Sequence, residues 1–188
     1  MTIHRRDFLR AAATGTLALG APAALVRAAG AQGAPEGAPK LLRALTRTIE
    51  VNRKPATVCG LQQADGSAGL TFAEGDTFAV ELRNELAEPT TIHWHGLTPP
   101  WAADGVAGAP EPLLEPGASR RYAFPVGAAG THWMHAHTLQ EQNLLAAPLI
   151  VRDKDHASRD EQEVVILLHD FSFTPAAELL ARLKAGGA

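Results

Sequence analysis

Two short stretches carry the residues that could do chemistry: Thr91-Ile92-His93-Trp94-His95-Gly96 and Gly130-Thr131-His132-Trp133-Met134-His135-Ala136-His137. In an extended strand, residues two apart share a face, so His93 projects with His95 and His135 with His137, while Trp94 and Ala136 turn away. Side chains at this spacing start about 6.6 Å apart along the strand. Each pair can therefore reach two neighbouring ions as readily as it can chelate one, which favours a metal cluster shared between two strands. A single His-x-His near a strand end is commonly structural. Two such pairs, about forty residues apart and each beside a tryptophan, are a much stronger sign of a shared site. Imidazole suits copper, zinc, iron and nickel alike, so ligand type alone does not choose the metal; copper heads the affinity order for divalent ions.

Other groups lie close in sequence. Asp104 follows His95 by nine residues in a loop rich in Trp and Gly. Its carboxylate could orient a metal-bound water or relay protons, or it could simply be the turn residue before Gly105. Glu141 and Gln142, near the end of the second site strand, could support the ligands from behind, with a solvated loop the favoured reading. Trp94 and Trp133 are expected to pack around the site and keep it dry, and Trp101 to line a loop over it. Cys59 is the single cysteine, so no internal disulfide can form, and it reads as a buried structural residue.

The elements that must position these side chains read as short strands. Leu45 to Val51 alternates roughly, Thr57 to Leu61 is short, and Thr77 to Arg83 sets Phe78, Val80 and Leu82 on one face. Glu74-Gly75-Asp76 and Glu115-Pro116-Gly117 supply turns, and Asn84 to Pro89 breaks the chain. Thr90 to His95, Ser119 to Pro125, Thr131 to His137 and Pro148 to Val151 complete the set. Short strands separated by turn signals, with no long helical period, predict an all-β sandwich.

Either end of the chain differs from this. His4-Arg5-Arg6-Asp7-Phe8-Leu9-Arg10, then a mild apolar run to Val26 and the small residues Ala29-Gly30-Ala31, look like a twin-arginine export signal over residues 1–31. His4 stands where that pattern usually has serine or threonine. The apolar run is too short and too rich in Gly and Ala for a stable membrane span. Residues 32–43 read as a linker, residues 44–153 as the folded domain, and residues 154–188 as a connector followed by the start of a second, truncated domain. Within that last stretch Val164 to Leu168 reads as a buried strand and Pro175 to Ala188 as a short helix; a lone strand there would be loosely held or docked on the domain. The chain of 188 residues is 46% hydrophobic and 20% charged, enough to bury a core without staples, and its formal charge of −3 gives no reason to expect nucleic acid.

His93-Trp94-His95-Gly96, Asp104-Gly105-Val106 and Gly130 to His137 together resemble the copper motifs of the first domain of a multicopper oxidase. Gln140-Glu141-Gln142 and Ala147-Pro148-Leu149-Ile150-Val151 resemble the laccase-like and copper-resistance branch. The resemblance runs from about Ala44 to Val151 and implies a cupredoxin-like Greek-key β-sandwich. It also implies copper as cofactor, with His93 on the mononuclear copper of a three-copper cluster and His95, His135 and His137 on the coupled pair. Asp104 would lie by the water channel. The reaction it implies is reduction of O2 to water with electrons from a phenolic or metal-ion donor, in the bacterial periplasm. These four histidines are half of what such a cluster uses, and the family's His-Cys-His stretch is absent here. The expected partners are therefore copper ions, O2 once the cluster is complete, and further cupredoxin domains or another chain. A non-enzymatic periplasmic copper-binding or buffering protein uses the same four ligands. A cupin-type dioxygenase fits less well, because Gly96 and Leu97 follow the first pair and the next glutamate is Glu111.

Overall fold

Residues 38–106 and 108–186 are described by the structure, a computed structural model. The expected export signal lies outside the described residues. Eight strands run in chain order: β1 (Lys40–Val51), β2 (Lys54–Gln63), β3 (Leu70–Ala73), β4 (Thr77–Asn84), β5 (Ile92–His95), β6 (Ser119–Pro125), β7 (Gly130–Ala136) and β8 (Ala146–Arg152). They form two four-stranded sheets, ordered β2-β1-β4-β6 and β3-β8-β7-β5. Within them β1 pairs with β4 and β3 with β8 in parallel, and the remaining pairs are antiparallel. The fold is a cupredoxin-like β-sandwich, as the resemblance implies.

Alternation builds the sandwich. In β4, Phe78, Val80, Leu82 and Asn84 are buried while Thr77, Ala79, Glu81 and Arg83 are not. Phe78 stacks on Phe124 of the same sheet (4.6 Å between ring centroids) and tilts onto Trp94 of the other (4.7 Å). Trp94 also meets Tyr122 edge-on at 4.9 Å, so aromatic rings join the two sheets directly behind the first histidine pair. Trp94, Met134 and Ala136, the residues that alternate with the histidines, are all fully buried.

The strands are longer at one end than expected. β1 begins at Lys40, inside the stretch expected to be a linker, because Leu42 and Ala44 are buried against β2 and β4. Asn52 and Arg53 adopt left-handed φ values of 51° and 62° and make the two-residue turn that lets β2 pair from Lys54. Turns at Glu74-Gly75-Asp76 and Glu115-Pro116-Gly117 form as expected, with Gly75 at φ 90° and Gly117 at φ 76°. After β4, buried Asn84 donates through Nδ2 to Glu88 O and Leu114 O, each at 2.9 Å, and accepts at Oδ1 from Leu86 N at 3.0 Å. Asn84→Ala should therefore cost about 2–3 kcal/mol in urea unfolding, because it strands buried backbone groups.

Val164 to Leu168 corrects an expectation. It is not a strand, and Val164, Val165, Ile166 and Leu168 are exposed. Among the described residues no strand pairs with it, and an apolar run alone does not make a strand without that pairing. Further on, a helix, α1 (Ala176–Lys184), does form. The segment leading into it docks on the domain, where Phe171 and Phe173 face Pro55, Thr57, Leu139 and Asn143 across a cleft of about 510 Å³. No helix among the described residues is long and apolar enough to cross a membrane.

Candidate metal centre

β5 and β7 lie side by side and antiparallel, with His93 opposite His135 and His95 opposite Trp133. Both pairs therefore leave the same face of one sheet. Ring centroids of His93 lie 5.4 Å from His95, 5.5 Å from His135 and 5.7 Å from His137, so His93 neighbours each of the others. One donor nitrogen from each of His93, His95 and His135 lies within 4.8 Å of the other two. His137 lies just past the end of β7, exposed, with its ring 5.7 Å from that of His135 but outside this tightest group.

Backbone contacts favour one nitrogen of each ring as the metal-facing one. A carbonyl oxygen can only accept, so His93 Nδ1–H donates to Asp104 O at 2.8 Å and His135 Nδ1–H to Ala136 O at 3.0 Å. Their Nε2 lone pairs are left bare when the rings are neutral. His95 Nδ1 lies 3.3 Å from His135 Nε2, so without metal His95 Nδ1–H donates to His135 Nε2. Imidazole–metal bonds run about 2.0–2.1 Å, and two such ligands at a tetrahedral angle sit roughly 3.3 Å apart. The donor set and its spacing fit a metal ion in place of that one proton.

Charge and packing reinforce the arrangement. His135 is 5% exposed, and its pKa is pushed below the ordinary 6.5 chiefly by burial, with His93 and His95 lowering it further and Ala136 O and Glu141 opposing the shift. The unfolded chain then binds this proton more readily than the folded one. Stability of the metal-free protein is therefore retained above pH 6.5 and should fall as pH drops below it, and His135→Gln should flatten the slope in unfolding measured across that range. Trp133 stacks on His135 with centroids 4.1 Å apart and lies 5.2 Å from His95, covering one side of the pair.

The Asp104 loop folds back under His93. Trp94 Nε1–H donates to Ala103 O at 2.9 Å, and Thr91 Oγ1 donates to Gly105 O at 3.3 Å. Gly105 has φ 74°, and a Cβ there would lie 1.9 Å from Ile92 O, so only glycine allows this approach. Asp104 Oδ1 is then 3.4 Å from His93 Nδ1. Trp101, expected to cover the site, is 65% exposed; its part is a backbone one, since Trp101 O accepts from Asp104 N at 3.3 Å.

Two further sequence readings divide. Glu141, read as a solvated loop residue, has Oε1 3.4 Å from His135 Nδ1, whereas its neighbour Gln142 lines the cleft beneath Phe171 and Phe173. Sequence distance hid this, because a 3₁₀ turn at Leu139–Asn143 reverses the chain after the second pair. His132 stays out of the cluster, its ring against Gly96 and Gly130. Cys59 is buried, with Asn143 Nδ2 donating to its Sγ at 3.4 Å, and it is not among the clustered donors.

A family model described as multicopper oxidase matches residues 46–156, more than half of the chain. The chain belongs to the multicopper oxidase family. It is 37% identical over 117 residues to copper resistance protein A of Pseudomonas syringae pv. tomato, covering 61% of this chain and 19% of that protein. It is 36% identical over 164 residues to laccase-3 of Thanatephorus cucumeris, covering 73% of this chain and 28% of that one. Its fold is similar to that of a multicopper oxidase from Pseudomonas thermotolerans, with a TM-score of 0.54 and 30% identity over 61% of this chain and 29% of the other. The chain thus spans about a fifth of the length of the copper resistance protein it matches. Copper is the cofactor of this multicopper oxidase family member, and the all-imidazole donor set described above suits it.

Proposed function

We propose that this chain is a first cupredoxin-like domain that supplies His93, His95, His135 and His137 to a three-copper cluster, with the remaining ligands brought by further domains or another polypeptide. The observation that carries this reading is the 3.3 Å approach of His95 Nδ1 to His135 Nε2, which suits two ligands of one ion. His93 would serve the mononuclear position and His137 the far side of the coupled pair. Copper bound there supplies the redox chemistry by which O2 is reduced to water at the expense of a phenolic or metal-ion donor. The chain's own residues orient and shield. The Asp104 and Ala136 carbonyls hold His93 and His135 with Nε2 outward, Trp133 covers one side of the pair, the core behind Trp94 keeps water from the back of the site, and the Asp104 carboxylate, 27% exposed, can pass protons between solvent and the His93 side.

Electron entry falls to another part of the assembly on this reading. A blue-copper site needs two His, one Cys thiolate and usually a weak axial Met, and Cys59 is buried beside Asn143 instead. The expected result is copper binding with little oxygen uptake by the chain alone. Copper titration of the purified chain, alongside a His95→Ala, His137→Ala double variant and oxygen-electrode assays with a phenolic donor, tests this. Unchanged copper affinity in the double variant contradicts the ligand assignment, and steady turnover by the pure monomer contradicts the half-site.

A second reading, a copper-binding or buffering protein with no turnover, is favoured by the three donors already within 4.8 Å on one domain. Submicromolar affinity without any partner would select it. We further propose that residues 1–31 direct export to the periplasm through the paired arginines Arg5 and Arg6, ahead of a folded domain that begins at Lys40; replacing both arginines by lysine should leave the chain in the cytoplasm.

A further inference from the structure

We propose that Glu141 is a positioning residue for His135, holding that ring in the Nδ1–H form with Nε2 bare and facing His95; the proposal rests on the copper-site reading above. His93 and His135 are directly opposed across β5 and β7 and are braced in the same way. Each directs Nδ1 at a backbone carbonyl, Asp104 O at 2.8 Å and Ala136 O at 3.0 Å. Each also has a carboxylate oxygen 3.4 Å from that same nitrogen, Asp104 Oδ1 for His93 and Glu141 Oε1 for His135. The two carboxylates come from separate segments, one from the loop after β5 and one from the 3₁₀ turn Leu139–Asn143.

That turn is held by backbone bonds, among them Glu141 N to Thr138 O at 3.1 Å and Leu144 N to Glu141 O at 3.0 Å, and by side chains other than that of Glu141. Gln140 Nε2 donates to Pro89 O at 3.3 Å, Asn143 Nδ2 donates to Cys59 Sγ at 3.4 Å, and Leu145 N donates to Gln140 O at 3.1 Å. Leu144 is buried beside it with a left-handed φ of 64°. The carboxylate is therefore free to act on His135 rather than on its own turn. At His135 the Ala136 carbonyl takes the Nδ1 proton at 3.0 Å, and the Glu141 carboxylate, 3.4 Å from the same nitrogen, adds negative charge on that side of the ring. The opposite tautomer would put a proton on Nε2, where His95 Nδ1 stands 3.3 Å away and where a metal would bind. A carboxylate on the far nitrogen disfavours that form and raises the donor strength of the near one.

The test uses the full chain, metal-free and ¹⁵N-labelled, at about pH 8 where imidazole is neutral, with long-range ¹H–¹⁵N correlation reading the His135 tautomer. Copper(II) affinity is measured in parallel by competition. Wild type should show Nδ1–H alone. Glu141→Ala should show both tautomers and bind copper about 10- to 100-fold more weakly. Glu141→Leu, which keeps bulk without an acceptor, should behave alike, and Glu141→Gln, which keeps an acceptor oxygen, should restore the tautomer and most of the affinity. If Glu141→Ala and Glu141→Leu retain pure Nδ1–H and bind copper within about twofold of wild type, the positioning role is overturned. A His95→Ala control separates the two levels. Copper lost in that control but kept in the Glu141 variants removes only the role of Glu141, whereas copper unaffected by His95→Ala removes the copper site, and the tautomer of the metal-free chain still judges Glu141.

Discussion

Trp94→Ala will destabilise the domain by about 3–5 kcal/mol, the range for deleting a large buried aromatic side chain. Its ring is fully buried, lies between Phe78 and Tyr122, and joins the two sheets. Alanine would leave a cavity that the aromatic neighbours cannot fill and would orphan Ala103 O, the acceptor for the indole Nε1–H. Trp94→Phe separates these effects. It retains most of the packing and loses only the hydrogen bond, so about 1–2 kcal/mol is expected. Because Ala103 precedes Asp104, both variants should also loosen the loop that holds His93. Urea unfolding gives the stabilities, and copper affinity shows whether Trp94→Phe weakens the site by more than its stability loss alone would suggest.

Gly105→Ala is the second large effect. The new methyl would meet Ile92 O at 1.9 Å, from a backbone at φ 74° that L residues rarely adopt. Neither problem is relieved by a rotamer change, since the atom struck belongs to strand β5 itself. Displacing the loop costs about 2–5 kcal/mol, combining left-handed strain with overpacking. It also withdraws Asp104 O from His93 Nδ1 and frees that ring to rotate. Loss of stability together with loss of copper affinity is expected, read by thermal unfolding and copper competition on the same preparation. A Gly105→Ala chain as stable as wild type would mean that the loop does not lie against β5 as described.

What the sequence discloses and what it hides follow from range. Strand parity is local, so the facing of His93, His95 and His135, and the opposite facing of Trp94, Met134 and Ala136, can be read from a period of two. β6 at Ser119–Pro125 is bounded by turn residues and is read to the residue. β3 was hidden because Leu70–Ala73 is only four residues long and gains its identity by pairing in parallel with β8. The end of β1 at Val51 is legible, but the start of β2 at Lys54 rather than Thr57 is not, because Asn52 and Arg53 give no glycine signal although both take left-handed φ. Val164 to Leu168 shows the converse, an apolar run that looks like a strand until the absence of a described partner strand is seen. Glu141 needed three-dimensional placement, since nothing in its spacing from His135 shows that a 3₁₀ turn returns it to the ring.

Anomalous diffraction at the copper edge, from crystals of the full chain grown with copper(II), tests the central claim most directly. The account predicts a peak between His95 Nδ1 and His135 Nε2, at about 2.0–2.1 Å from each. Density confined to Cys59, His156 or the exposed carboxylates, with nothing between those two rings, would contradict it.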